Sequence, residues 1–175
     1  MITISKPEAT EYNPFYANYI NKVETTDVLG FLKTQGEAFC DVLYALPAEK
    51  GDYAYAPGKW TVKELLGHIN DAERVFAYRA LSIARGEQQP LPGFEQDDYV
   101  QAANFNQRTL ASLIDEFRYC RLATLHLFNN FTEHELTRAG TASGSPVTVR
   151  AIIYIVAGHL NHHRQVLKAN YGIGK

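Results

Sequence analysis

The sequence predicts an all-α protein, a single four-helix bundle, on three observations. Four long stretches carry apolar residues at three- and four-residue intervals, stretches rich in glycine and proline separate them, and no segment reads as a convincing strand. At 175 residues and 46% hydrophobic content the chain suits one domain, residues 1–175, with enough apolar mass for a packed core.

In chain order, Tyr12 to Val23 carries Tyr12, Phe15, Tyr16 and Tyr19 and reads as a short extra helix or arm lying on the bundle. The first bundle helix spans Asp27 to Leu46, where Val28, Leu29, Leu32, Phe39, Val42, Leu43 and Leu46 keep a helical period. Pro47, Gly51, Pro57 and Gly58 make Pro47 to Lys59 a connection. Thr61 and Glu64 then form a capping box, each side chain able to satisfy the other's free backbone N–H, and start a second helix that Gly86 ends. Gln88 to Val100, with Pro90, Pro92, Gly93, Glu95, Asp97 and Asp98, has no sustained period and reads as a long covering loop. A third helix follows from Leu110 to Phe131, a polar loop from Gly140 to Pro146, and a final helix from Thr148 to about Ala169.

Charge and composition exclude several functions. Seventeen Lys and Arg face 19 Asp and Glu, a net charge of -2 with no like-charged block, so neither nucleic acid nor an anionic membrane is an expected partner. The longest strongly apolar stretch, Ala151 to Gly158, is far below the roughly 20 residues that span a bilayer. No apolar run of signal-peptide type occurs among the first dozen residues, and a cytoplasmic location is expected. Cys40 and Cys120 form no CxxC pair and fall in apolar helical stripes, which suits small core residues in a reducing compartment.

The histidines carry the functional signal. On the last helix, Gly158-His159-Leu160-Asn161-His162-His163 places His159 and His163 about 40° apart around the axis and one turn along it, so both imidazoles can reach one ion, while His162 lies about 60° to the other side of His159. His68 stands in the apolar run Leu65-Leu66-Gly67-His68-Ile69, where an imidazole without a partner would cost about 1–3 kcal/mol. His68, His159 and His163 are therefore the expected ligands of one divalent ion, zinc or nickel before magnesium, with a coordination position left open. Gly67 and Gly158, each preceding a ligand, are read either as points of close helix approach or as tolerated weak points. Asp71, one turn beyond His68, is the candidate proton acceptor or imidazole-orienting carboxylate, the alternative being that Asp71, Glu73 and Arg74 are ordinary solvated helix charges or an intramolecular ion pair. His126 and His134 read as surface residues, and Trp60 as an apolar plug over the bundle end.

Taken together, Tyr55-Ala56-Pro57-Gly58-Lys59-Trp60-Thr61, Gly67-His68 through Asp71, Glu73 and Arg74, Leu91-Pro92-Gly93-Phe94, and Gly158-His159 to His162-His163 resemble the DinB/YfiT-like superfamily over nearly the whole chain. The resemblance implies an up-down-down-up bundle and a nickel or zinc site on the second-helix histidine and the last-helix HxxxH pair, positions that are His68, His159 and His163 here. It also implies a small-molecule substrate and no DNA work. Some relatives transfer low-molecular-weight thiols such as bacillithiol, mycothiol or glutathione, and others act as isomerases or hydrolases. Arg164-Gln165 departs from the aliphatic residue common after the histidine pair. A homodimer is expected from the resemblance and from aromatic and aliphatic residues in excess of one core. Two classes of function stay open: a metal-dependent transferase or hydrolase, and a metal- or ligand-binding bundle without turnover.

Overall fold

In the computed structural model, which describes residues 3–174, the four expected helices pack as a bundle. They are α2 (Val28–Tyr44), α3 (Val62–Ala84), α5 (Leu110–Asn129) and α7 (Val149–Val166); short helices α1 (Ala17–Ile20), α4 (Gln96–Ala103) and α6 (Glu133–Leu136) lie between or before them. The starts follow the sequence. Asp27, Thr61, Thr109 and Thr148 each accept a backbone N–H from the first turn, and the Thr61–Glu64 capping box is formed in both directions. Gly86 at φ 90° takes the left-handed conformation that turns the chain away after α3.

The directions are up-down-down-up. Lys63 and Asn106, and at the other end Arg85 and Glu135, put like ends of α3 and α5 side by side, so these two run parallel. Tyr44 at the end of α2 bonds Asp115 near the start of α5, and His68 near the start of α3 meets His159 in the second half of α7, which makes those neighbours antiparallel. A parallel pair needs a crossover. The chain supplies it between Ala84 and Leu110, a segment that includes α4.

Two segments expected as loops are structured. Gln88 to Val100 holds the start of α4, whose first turn contains Asp97 and Asp98 and so suits a helix N-terminus. Gly140 to Pro146 lies in a β-hairpin, β1 (Ala139–Ala142) against β2 (Ser145–Thr148), turned by Ser143 at φ 51° and Gly144 at φ 74°. Strands this short escape a periodicity test. The hairpin also holds the crossover: Leu91 N–H donates to the Thr141 carbonyl at 2.8 Å, and Ser143 N–H donates to the Leu91 carbonyl at 3.0 Å.

Two apolar clusters fill the bundle. One, around Leu32, Phe76, Phe128, Ile152 and Tyr154, lies at the hairpin end; the other, around Phe39, Leu66, Leu113, Phe117 and Leu160, lies at the Trp60 end. Buried polar side chains separate them on every helix: Gln35 on α2, Glu73 on α3, Arg121 on α5 and His159 on α7. Arg121 donates through Nε and Nη2 to the two Glu73 carboxylate oxygens at 2.7 and 2.8 Å, and through Nη1 to the Leu32 carbonyl at 2.9 Å and Gln35 Oε1 at 3.3 Å. Gln35 Nε2 continues to the Ala157 carbonyl and Asn161 Oδ1, both at 2.8 Å, so a single chain of hydrogen bonds joins all four helices.

Candidate metal centre

Helix spacing and helix packing together build the centre. His159 and His163 share a face of α7 one turn apart, and α3, antiparallel to α7, brings His68 against them. His68 Nε2 lies 3.2 Å from His159 Nε2, and His163 Nε2 lies 3.0 Å from the same atom. One nitrogen from each ring falls within 4.8 Å of the others, and all three residues are buried, at 3%, 7% and 8% exposure. Ligand nitrogens around a tetrahedral ion at the usual metal–nitrogen length stand about 3.3 Å apart. The three nitrogens therefore fit one ion.

Electrostatics suits ligands. Burial, with a smaller contribution from His162, lowers the His68 pKa to about 4 against a raising influence of Asp97. Burial first and then the neighbouring histidines hold His159 and His163 well below the ordinary imidazole value. All three rings are neutral at neutral pH, the form in which imidazole donates a lone pair to a metal. Nδ1 of His163 is buried with no hydrogen-bond partner.

Aromatic residues wall the cluster. The Trp60 ring stands 4.9 Å from His68, Phe76 5.7 Å and Tyr19 5.8 Å from His159. Trp60, read as a plug, thus also faces a candidate ligand. The two glycines have distinct reasons. A Cβ on Gly158 would lie 2.3 Å from the Tyr19 carbonyl oxygen, and one on Gly67 about 2.4 Å from the Phe105 ring. The close approach is made by the arm and by an aromatic ahead of α5, not by a neighbouring bundle helix.

His162 is half-buried, packs its ring 5.3 Å from Tyr19 and stands outside the three-nitrogen cluster, and His126 and His134 are exposed. Asp71 is half-buried, 4.0 Å from Arg74, with its carboxyl pKa raised by burial; no hydrogen bond joins it to the three histidines. The carboxylate whose charge reaches His68 is Asp97 on α4. Sequence reasoning missed Asp97 as a neighbour of the site, since only the packing of α4 on α3 brings it there. Glu73, read as a solvated charge or an ion-pair member, is the buried partner of Arg121. Burial raises both thiols, Cys120 to about 11, which suits core residues.

The sequence profile of the DinB superfamily matches residues 32–167. The chain belongs to the DinB superfamily. Among solved structures, this DinB-superfamily protein is similar to YfiT from Bacillus subtilis, described as a probable metal-dependent hydrolase with an unusual four-helix bundle topology: 13% identity and a TM-score of 0.73, covering 97% of this chain and 95% of that one. It is similar to a mycothiol-dependent maleylpyruvate isomerase at 12% identity and a TM-score of 0.67, covering 82% of this chain but only 61% of that one. A DinB-like protein from Bacillus cereus shares 24% identity at a TM-score of 0.58, covering 83% of this chain and 93% of that one. At these identities the likeness shows the fold. No curated protein matches the chain.

Proposed function

We propose that this DinB-superfamily bundle is a metal-dependent enzyme in which His68, His159 and His163 hold one zinc or nickel ion, and that it transfers a low-molecular-weight thiol or hydrolyses a small substrate. The observation that carries the reading is the convergence of three neutral, buried Nε2 atoms from two helices. Such an ion would supply Lewis acidity, lowering the pKa of a bound water or thiol toward neutrality. The chain's own residues do the rest. Trp60, Phe76 and Tyr19 exclude bulk water from the ligand face, and Asp71, whose carboxyl is raised by burial, is the proton acceptor offered by α3. A probable metal-dependent hydrolase among its structural neighbours supports the hydrolytic branch, and a mycothiol-dependent maleylpyruvate isomerase supports the use of a thiol.

Elemental analysis should find about one ion per chain, and metal-bearing protein should turn over electrophiles with at least one physiological thiol, or a hydrolysable ester or amide, in a chelator-sensitive way. A preparation that takes up neither zinc nor nickel ends the proposal. The near-complete cover of the three ligands favours the second reading, a metal-binding bundle without turnover. Cobalt-substituted protein whose spectrum answers no thiol or anion would select it. For the assembly we propose a homodimer, with exposed Tyr44, Tyr119 and Leu122 on α2 and α5 as the face to cover; light scattering at micromolar concentration tests it.

A further inference from the structure

On α3 the spacing of His68, Ala72, Val75 and Arg79 puts them along one ridge of the helix, and the far end of that ridge holds a second unusual site. Arg79 is 4% exposed, yet no carboxylate pairs with it among the described residues. Its Nη2 donates to the Pro92 carbonyl at 2.7 Å and to Ser143 Oγ at 2.9 Å, and Tyr16 is its other polar neighbour. All three partners are neutral oxygens. They satisfy hydrogen bonds and leave the charge uncompensated, whereas the other buried guanidinium, Arg121, has Glu73 as its counter-ion. If tying the crossover to the hairpin were the whole purpose, a neutral amide would serve.

Arg79, its guanidinium carbon 6.0 Å from the centre of the Phe94 ring, is among the residues lining a cavity of about 290 Å³ under the crossover, walled by Val75, Tyr78, Leu91, Phe94 and Tyr99. That volume is near the lower end for small-molecule sites, and the walls are aromatic or aliphatic. Arg74 also borders the cavity, but Glu116 already pairs with it at 2.6 Å. One unneutralised positive charge beside an apolar chamber specifies the ligand: a single negative charge on an aromatic or aliphatic body. The exposed acidic residues at the start of α4, Asp97 and Asp98, do not line the cavity, and their charge does not reach Arg79.

From this geometry we infer that the cavity binds a small organic monocarboxylate, its carboxylate accepting hydrogen bonds from the Arg79 guanidinium and its apolar body lying between Val75, Tyr78, Phe94 and Tyr99. The inference does not depend on the metal. Isothermal titration of the full-length protein as purified, with 3-phenylpropionate and hexanoate against 3-phenylpropanol and inorganic phosphate, tests it. A carboxylate should bind saturably, at least ten-fold more tightly than the alcohol of the same shape and than phosphate. Arg79→Gln should remove the charge and abolish that preference. Val75→Trp, which fills the chamber and leaves the guanidinium in place, should abolish carboxylate binding at unchanged metal content. No saturable carboxylate binding to the wild type, equal affinity for acid and alcohol, tighter binding of phosphate, or unchanged binding in Val75→Trp each overturns the inference, including in the event that Arg79→Gln does not fold.

Discussion

Two buried polar clusters lie close together in one bundle, one spanning all four helices and the other joining α3 to α7, and they are built on opposite rules. In the Glu73–Arg121–Gln35–Asn161 chain, charge meets charge and donors meet acceptors across α3, α5, α2 and α7. In the His68–His159–His163 cluster, like groups face like groups, three ring nitrogens converge, and Nδ1 of His163 is left without a partner. The first cluster is closed and holds the helices in register. The second brings ring nitrogens together with no partner of opposite charge, the arrangement that the proposed ion would complete. A buried polar group is thus a sign of function when its valence is unfilled, and of architecture when it is filled.

Substitutions separate the two rules. Glu73→Ala leaves the Arg121 charge buried and unpaired and should cost about 3–5 kcal/mol in stability, measured by urea unfolding of the metal-free protein. His163→Gln should abolish stoichiometric metal uptake while moving the metal-free stability by only about 1 kcal/mol. Equal stability losses in the two variants would erase the distinction.

Next in size is Gly158→Ala. Its methyl group would meet the Tyr19 carbonyl, so the arm must lift, at a cost of about 1–3 kcal/mol, and tyrosine fluorescence and proteolysis of the first 23 residues should report the release. The pH response is gentler. The His68 pKa is lowered on folding, so between the ordinary value of 6.5 and about 4 the unfolded chain binds more protons. Metal-free protein should therefore be fully stabilised above about pH 6.5 and lose stability as pH falls toward 4, and His68→Gln should flatten that slope. The smallest effect is expected of His162→Ala, which should retain nearly all bound metal, because His162 stands outside the cluster. Metal loss equal to that of His163→Gln would reassign the pair.

Much of this was legible in the sequence because the code is local. The 3.6-residue period gave the four helices, the Thr61–Glu64 box fixed one boundary, and the four-residue spacing of His159 and His163 is a helical property in itself. What stayed hidden depends on residues brought together from far along the chain. Asp97 reaches His68 only because α4 folds back on α3, and Arg121 finds Glu73 only across the parallel pair. Tyr19 becomes a wall only because Gly158 admits its backbone. The hairpin was missed for a different reason: four residues a strand are too few for a period to show.

The placement of the arm bears on how such sites diversify. The profile that defines membership begins at residue 32, whereas Tyr19, seated on Gly158 and against His159, lies before it. The three histidines lie within the matched bundle, while part of the wall around them comes from a segment outside it. Two members could then keep identical ligands and accept different molecules, and exchanging this short lead-in between them would be a direct route to altered selectivity without touching the bundle.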